Sequence, residues 1–177
     1  IQARPAAMIG QPSGGTIGVA CPAEATGLVF VAYPGCHLVA AIEPASGTIV
    51  AGVQFAPDGT ATITDGNVSC PAECGGAEPT TAGPRPVSMD LVVDERVGTT
   101  RMAIGSENSP LVTVVDLDAT AGFTALAQVA LSPTANGDVG VLDVALSPQI
   151  GMGGTTGQLN DEIAPGGQFQ FVYAVAT

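Results

Sequence analysis

Glycine and proline interrupt this chain so often that no long helix can survive in it. There are 24 glycines and 14 prolines among 177 residues, and almost every window of helical length contains one. In a helix interior Gly costs about 1 kcal/mol and Pro about 3 kcal/mol relative to Ala. Between these breakers lie short, β-branched apolar runs at residues 28–33, 38–42, 48–53, 111–115 and 169–175. Each is bounded by Gly, Pro, Asp, Asn or Ser, which is the pattern of a strand between turns. Residues 123–131 are Ala-rich enough to suggest a helix, but Val129 and the exit Leu131-Ser132-Pro133 favour a strand. The expected class is all-β.

Composition narrows the function classes. Hydrophobic residues make up 46% and charged residues 11%, the reverse of a disordered chain. Sixteen acids stand against four arginines and no lysine, for a formal charge of −12. That leaves no basic patch for a nucleic acid and no polybasic segment for an anionic membrane. No apolar run approaches the ~18 residues of a spanning helix. The sequence opens on Ile1 without a charged, apolar and cleavable leader, as expected of numbering that begins after processing or inside a longer protein.

A repeat runs through the strands. Arg4-Pro5-Ala6-Ala7-Met8 recurs as Arg85-Pro86-Val87-Ser88-Met89. After each come a strand, a polar loop and a second strand, at 28–33 in the first copy and 100–105 in the second. A tight turn follows, Pro34-Gly35-Cys36 or Ser106-Glu107-Asn108-Ser109-Pro110, and then a third strand ending on an acid, at 38–43 or 112–118. Fourth strands are expected at 48–55 and 125–131. A third copy begins at 139–146 and reaches its second strand at 168–176.

Four-stranded antiparallel units in radial repetition are the blades of a β-propeller. The run Val29-Phe30-Val31-Ala32, then Val39-Ala40-Ala41-Ile42-Glu43-Pro44-Ala45-Ser46-Gly47-Thr48-Ile49-Val50, resembles the YVTN/NHL-like repeat of bacterial propellers. The resemblance covers about two thirds of the chain. It is specific over the ~25 residues of the first copy and looser in the second, where Ala119-Thr120-Ala121-Gly122 keeps only the turn. It implies a first blade at 1–57 with a long first loop, a Cys-containing inter-blade insert at 58–83, a second blade at 84–133 and half of a third at 134–177. Two and a half blades cannot close a ring of typically 4–8, so the expectation is part of a larger propeller. A β-sandwich of nine or ten strands with a fortuitous repeat is the alternative.

Chemistry-bearing residues are few. Cys21, Cys36, Cys70 and Cys74 allow three disulfide pairings. Cys70 with Cys74 and Cys21 with Cys36 is the favoured set, and zinc with His37 as an added ligand is the alternative. C-x3-C without a second pair is a poor zinc spacing. His37 is the single histidine, beside Cys36 at a strand start, where neighbouring side chains point to opposite faces. Asp94-Glu95 and Asp161-Glu162, with Asn160, are loop acids without a cation-loop pattern. Gly151-Met152-Gly153-Gly154 with Gly157 lacks phosphate-loop spacing and a lysine. No G-x-S-x-G elbow occurs.

These features assign no catalytic, cofactor or metal residue. They lead to a non-enzymatic scaffold or protein-interaction module, secreted, periplasmic or on the outer surface of a bacterial cell. Its partners would be other chains or the remaining blades of the same protein. The alternative is part of a propeller enzyme, a lactonase-like hydrolase or a metal- or quinone-dependent oxidoreductase, with its site mostly in other blades. Lysine-free composition rich in Ala, Gly, Val and Pro resembles secreted proteins of high-GC bacteria. Aromatic residues at 4% argue against a sugar-stacking platform.

Overall fold

The short apolar runs form strands, and the strands form antiparallel sheets. A computed structural model describes residues 6–10, 27–68, 83–94, 99–118, 121–131, 140–147, 150–151, 168–169 and 171–176. Within them the chain is all-β, and its one helical piece is a single 3₁₀ turn, Pro34–Cys36.

The first sheet is a meander of β1 (Ala7–Gly10), β2 (Val29–Tyr33), β3 (Leu38–Glu43), β4 (Thr48–Phe55) and β5 (Ala61–Asp65), hydrogen-bonded in that order. The second is a meander of β6 (Arg85–Asp94), β7 (Thr99–Glu107), β8 (Leu111–Asp118) and β9 (Gly122–Ala130). In the third, β10 (Val141–Leu146) pairs with β13 (Val172–Ala176). Between those two in sequence, β11 (Ile150–Gly151) pairs with β12 (Gln168–Phe169).

Two expectations need correction. The segment 58–83 is not wholly an insert, because it opens with β5, which pairs with β4 from Phe55↔Ala61 to Ala51↔Asp65. The turn into β5 is closed by Ala56 N–H to Thr60 O at 2.8 Å and Gly59 N–H to Ala56 O at 2.9 Å. Pro57-Asp58-Gly59 before Ala-Thr-Ile-Thr is a turn-then-strand pattern. The continuous strand expected at 168–176 is divided. β12 and β13 serve different partners, although the apolar run through them reads as unbroken.

Alternation along β7 shows how the sheets stack. Met102 and Ile104 face the first sheet, and with Val115 and Phe123 of their own sheet they meet Phe30, Val39 and Val53 in a buried core. Ala103, between them, faces the third sheet and joins Val112, Val141, Val144 and Leu146. Successive side chains of a strand point to opposite faces, so the second sheet carries a core on each side. Phe30 and Phe123 meet across the first interface with ring centroids 5.4 Å apart and planes tilted by 51°. The strands stack in order, with β1 and β2 against β6, and β4 and β5 against β9. β10 lies over β6 and β7.

Arg4 and Pro5 lie outside the described residues, so the two copies of the segment are compared at their methionines. β6 begins at Arg85, and Met8 and Met89 both lie on the first strand of their meander, opposite Val31 and Ile104. Ala7 and Ile9 pack into the first core, so Met8 points away from the second sheet. Met89 points toward the first. Both therefore face the same way along the stack. Their surroundings differ, since Met8 is 73% exposed and Met89 is half-buried beneath the first sheet. A bulge between Pro86 and Ser88 opens the β6–β7 ladder where Pro86 has no N–H to give. On the far face of the first sheet Cys36, Leu38 and Ala40 are buried, with Val68 packed against them.

Candidate functional site

The second sheet is longer across than the third, and the difference leaves a cleft. Among the described residues β10 lies over β6 and β7, and the cleft opens over β8 and β9 beside β13. The cleft holds about 340 Å³, and its lining includes Val114 and Asp116 from β8, Ala125, Ala127 and Val129 from β9, and Val172 from β13. The register explains most of the lining, Leu126 apart. Val114 lies opposite Ala127 and Asp116 opposite Ala125, so even positions of β8 and odd positions of β9 share this face. The two alanines keep the floor shallow, and Val129 stands 54% exposed at the rim.

One ion pair sits in this surface. Arg101 on β7 lies directly across from Asp116, and its Nε donates to Oδ1 at 2.6 Å. Both side chains are about a third exposed, so the pair contributes roughly 0–1 kcal/mol, as partly solvated cross-strand pairs do. The carboxylate is thus engaged by a guanidinium and set among aliphatic walls. Among the described residues no three His, Cys, Asp or Glu side chains converge as a metal site would. No described helix is long and apolar enough to cross a membrane.

The residues singled out in the sequence lie elsewhere. Cys36 closes the 3₁₀ turn, is 3% exposed and is disulfide-bonded. Cys21, Cys70 and Cys74 lie outside the described residues, and so does the pairing. His37, expected at a strand start, lies one residue before β3. It caps the 3₁₀ turn in the left-handed region at φ 51°, so strand alternation does not govern it. Its Nδ1 donates to Pro84 O at 2.6 Å, and its carbonyl accepts from Phe55 N–H at 2.8 Å and from Gln54 Nε2 at 3.1 Å. These bonds tie the turn to β4 and to the segment entering β6. Asp94 ends β6, Gly151 ends β11, and Glu95, Asn160, Asp161, Glu162, Met152, Gly153, Gly154 and Gly157 lie outside the described residues.

Sequence reasoning missed the cleft. Its signal is a small-residue alternation, Ala125-x-Ala127-x-Val129, on a strand whose neighbour carries Val114 and Asp116 on the same face. It also missed the polar bonds between sheets. Gln128 donates to Gly59 O at 2.9 Å and to Thr113 Oγ1 at 3.2 Å, and accepts from Ala61 N–H at 3.0 Å, joining β9 to the β4–β5 turn. No family model, curated protein or solved structure matches the chain.

Proposed function

We propose that this chain is a non-enzymatic scaffold and protein-interaction module built as part of a β-propeller, in a secreted or cell-envelope protein. The supporting observation is the stacking. The first two meanders lie face to face, with β1 and β2 on β6 and β4 and β5 on β9, and the second carries a buried cluster on each face. A two-sheet sandwich has one interior, whereas propeller blades have an interface on each side. The resemblance of residues 29–50 to the YVTN/NHL-like repeat supports the same reading. A ring takes typically 4–8 sheets, so these three would be part of one. The disulfide at Cys36 is consistent with an oxidising compartment.

The test is the denatured intact mass of the native protein, followed by class averages of native particles in the electron microscope. The expected result is a mass well above the 17.4 kDa of this sequence, or an assembly of subunits, with a ring around a central channel. A 17.4 kDa monomer without a channel would overturn the proposal.

A further inference from the structure

The two edges of the third sheet are treated differently. In an antiparallel pair, residues alternate between those whose N–H groups point at the partner strand and those whose N–H groups point outward. On β10 the outward amides are those of Val144 and Leu146. Val144 N–H donates to Ser88 Oγ at 3.2 Å and to Asp143 Oδ1 at 3.0 Å, and Leu146 N–H donates to Asp90 Oδ2 at 2.6 Å. Ser88 and Asp90 stand on β6, in the sheet beneath. The β10 edge is thus closed by side chains from another sheet.

The register carries this pattern to β13. Val144 faces Ala174, and Leu146 faces Val172. The amides of Ala174 and Val172 therefore point away from β10, along the edge that borders the cleft. Among the described residues no strand pairs with β13 on that side. Among the described residues, an extended segment can be added to this sheet at β13 and not at β10.

The space beside that edge has a counterpart in the molecule. Over the first sheet, the second places β8 and β9 beyond β6 and β7, with β9 against β4 and β5. Over the second sheet, the third provides β10 and β13, and the cleft lies next, above Val114, Ala125, Ala127 and Val129. We propose that the β13 edge and this cleft form an acceptor site for a β-hairpin with aliphatic residues on one face. This rests on the propeller reading and deepens it, because the hairpin would complete a four-stranded third sheet. The first added strand hydrogen-bonds to Val172 and Ala174, and the aliphatic face of the hairpin packs on the cleft floor.

The probe is a synthetic peptide with the sequence of residues 111–130, the hairpin that this chain itself lays over the first sheet. Amide hydrogen exchange and methyl shifts are followed by NMR as the peptide is added to the intact protein. Exchange at Val172 and Ala174 should slow about tenfold or more, while Tyr173 and Val175, on the β10 side of the register, change little. The methyls of Val114 and Val129 should shift together with them. Val129→Glu, at an exposed position, should weaken uptake at least about tenfold through a buried unpaired charge, whereas Val129→Thr should retain it. Val172 and Ala174 amides that exchange freely in the intact protein and stay so up to ~1 mM peptide, or perturbation confined to other strands, would overturn the inference. A ring in which these two amides still exchange freely would remove this site and leave the scaffold reading standing. Uptake by a 17.4 kDa monomer would support the site and remove the propeller.

Discussion

Asp58 shows how single side chains shape the turns of this fold. Its Oδ1 accepts the Thr60 N–H at 2.9 Å, two residues on, within the turn that starts β5. That backbone bond first, and the Thr60 hydroxyl second, hold the carboxyl below the ordinary value of 3.8. Both bonds favour the ionised form. The sign follows from linkage. A carboxyl whose pKa is lowered in the folded chain adds stability that is fully present above its unfolded value. That stability is lost as pH falls through the lower folded value. In a carbon-detected NMR titration, Asp58 should therefore titrate below 3.8, and Asp58→Ala should remove the pH dependence of the Thr60 amide shift in that range. A midpoint at or above 3.8 would contradict the assignment. The turn was written in Pro57-Asp58-Gly59, but the roles of Gln128 and His37 were not. A glutamine on a strand and a histidine after a turn have no sequence feature that names acceptors 69 or 47 positions away.

At the scale of elements, most strands were legible because each is a β-branched run between breakers, and such runs have few other ways to fold. β2, β3, β4, β7, β8 and β9 lie within a few residues of their expected bounds. β5 was hidden because Thr-rich alternation is weakly apolar, and its assignment depends on pairing with β4. The break between β12 and β13 was hidden because a change of partner leaves no mark on hydropathy. The closed edge of β10 was equally invisible. Ser88 and Asp90 read as ordinary polar positions, yet Asp90 is the acceptor for the Leu146 amide. A hydrogen bond to a charged group contributes about 1.5–3 kcal/mol, and removing the acceptor leaves a donor without a partner. Asp90→Ala should therefore lower unfolding stability by about that amount in a denaturant titration and speed exchange at Leu146. Asp90→Asn, which keeps an oxygen in place, should lose less. Full stability in Asp90→Ala, with Leu146 still protected, would show that the edge is closed by something else.

For the whole molecule, the question is whether three layers unfold as one. The first two share a core containing Phe30, Met102, Ile104 and Phe123, and polar bonds through Gln128 cross the same interface. Among the described residues the third layer has two strands on a separate, smaller cluster. Two-stranded sheets are marginal by themselves, and weakly packed units open at lower free energy than the core. Gly105 decides how closely that layer can approach. A Cβ there would come within 2.9 Å of Val141 Cγ1 and 3.0 Å of Val144 Cγ1, and the short, branched valines cannot swing aside as a long chain could. Gly105 faces β10 from β7, so the strain of Gly105→Ala falls on the second interface and not on the first. Overpacking of this kind costs about 1–3 kcal/mol, and the third sheet can relieve it by lifting away. Hydrogen exchange should then quicken in β10 and β13 while the central amides of β3, β7 and β8 keep their protection. Equal acceleration throughout would mean that the three sheets open as a single unit. No acceleration at all would mean that β10 does not pack against Gly105. Selective loosening would show the third layer to be a separable unit, held to the others by the close approach that one missing side chain permits.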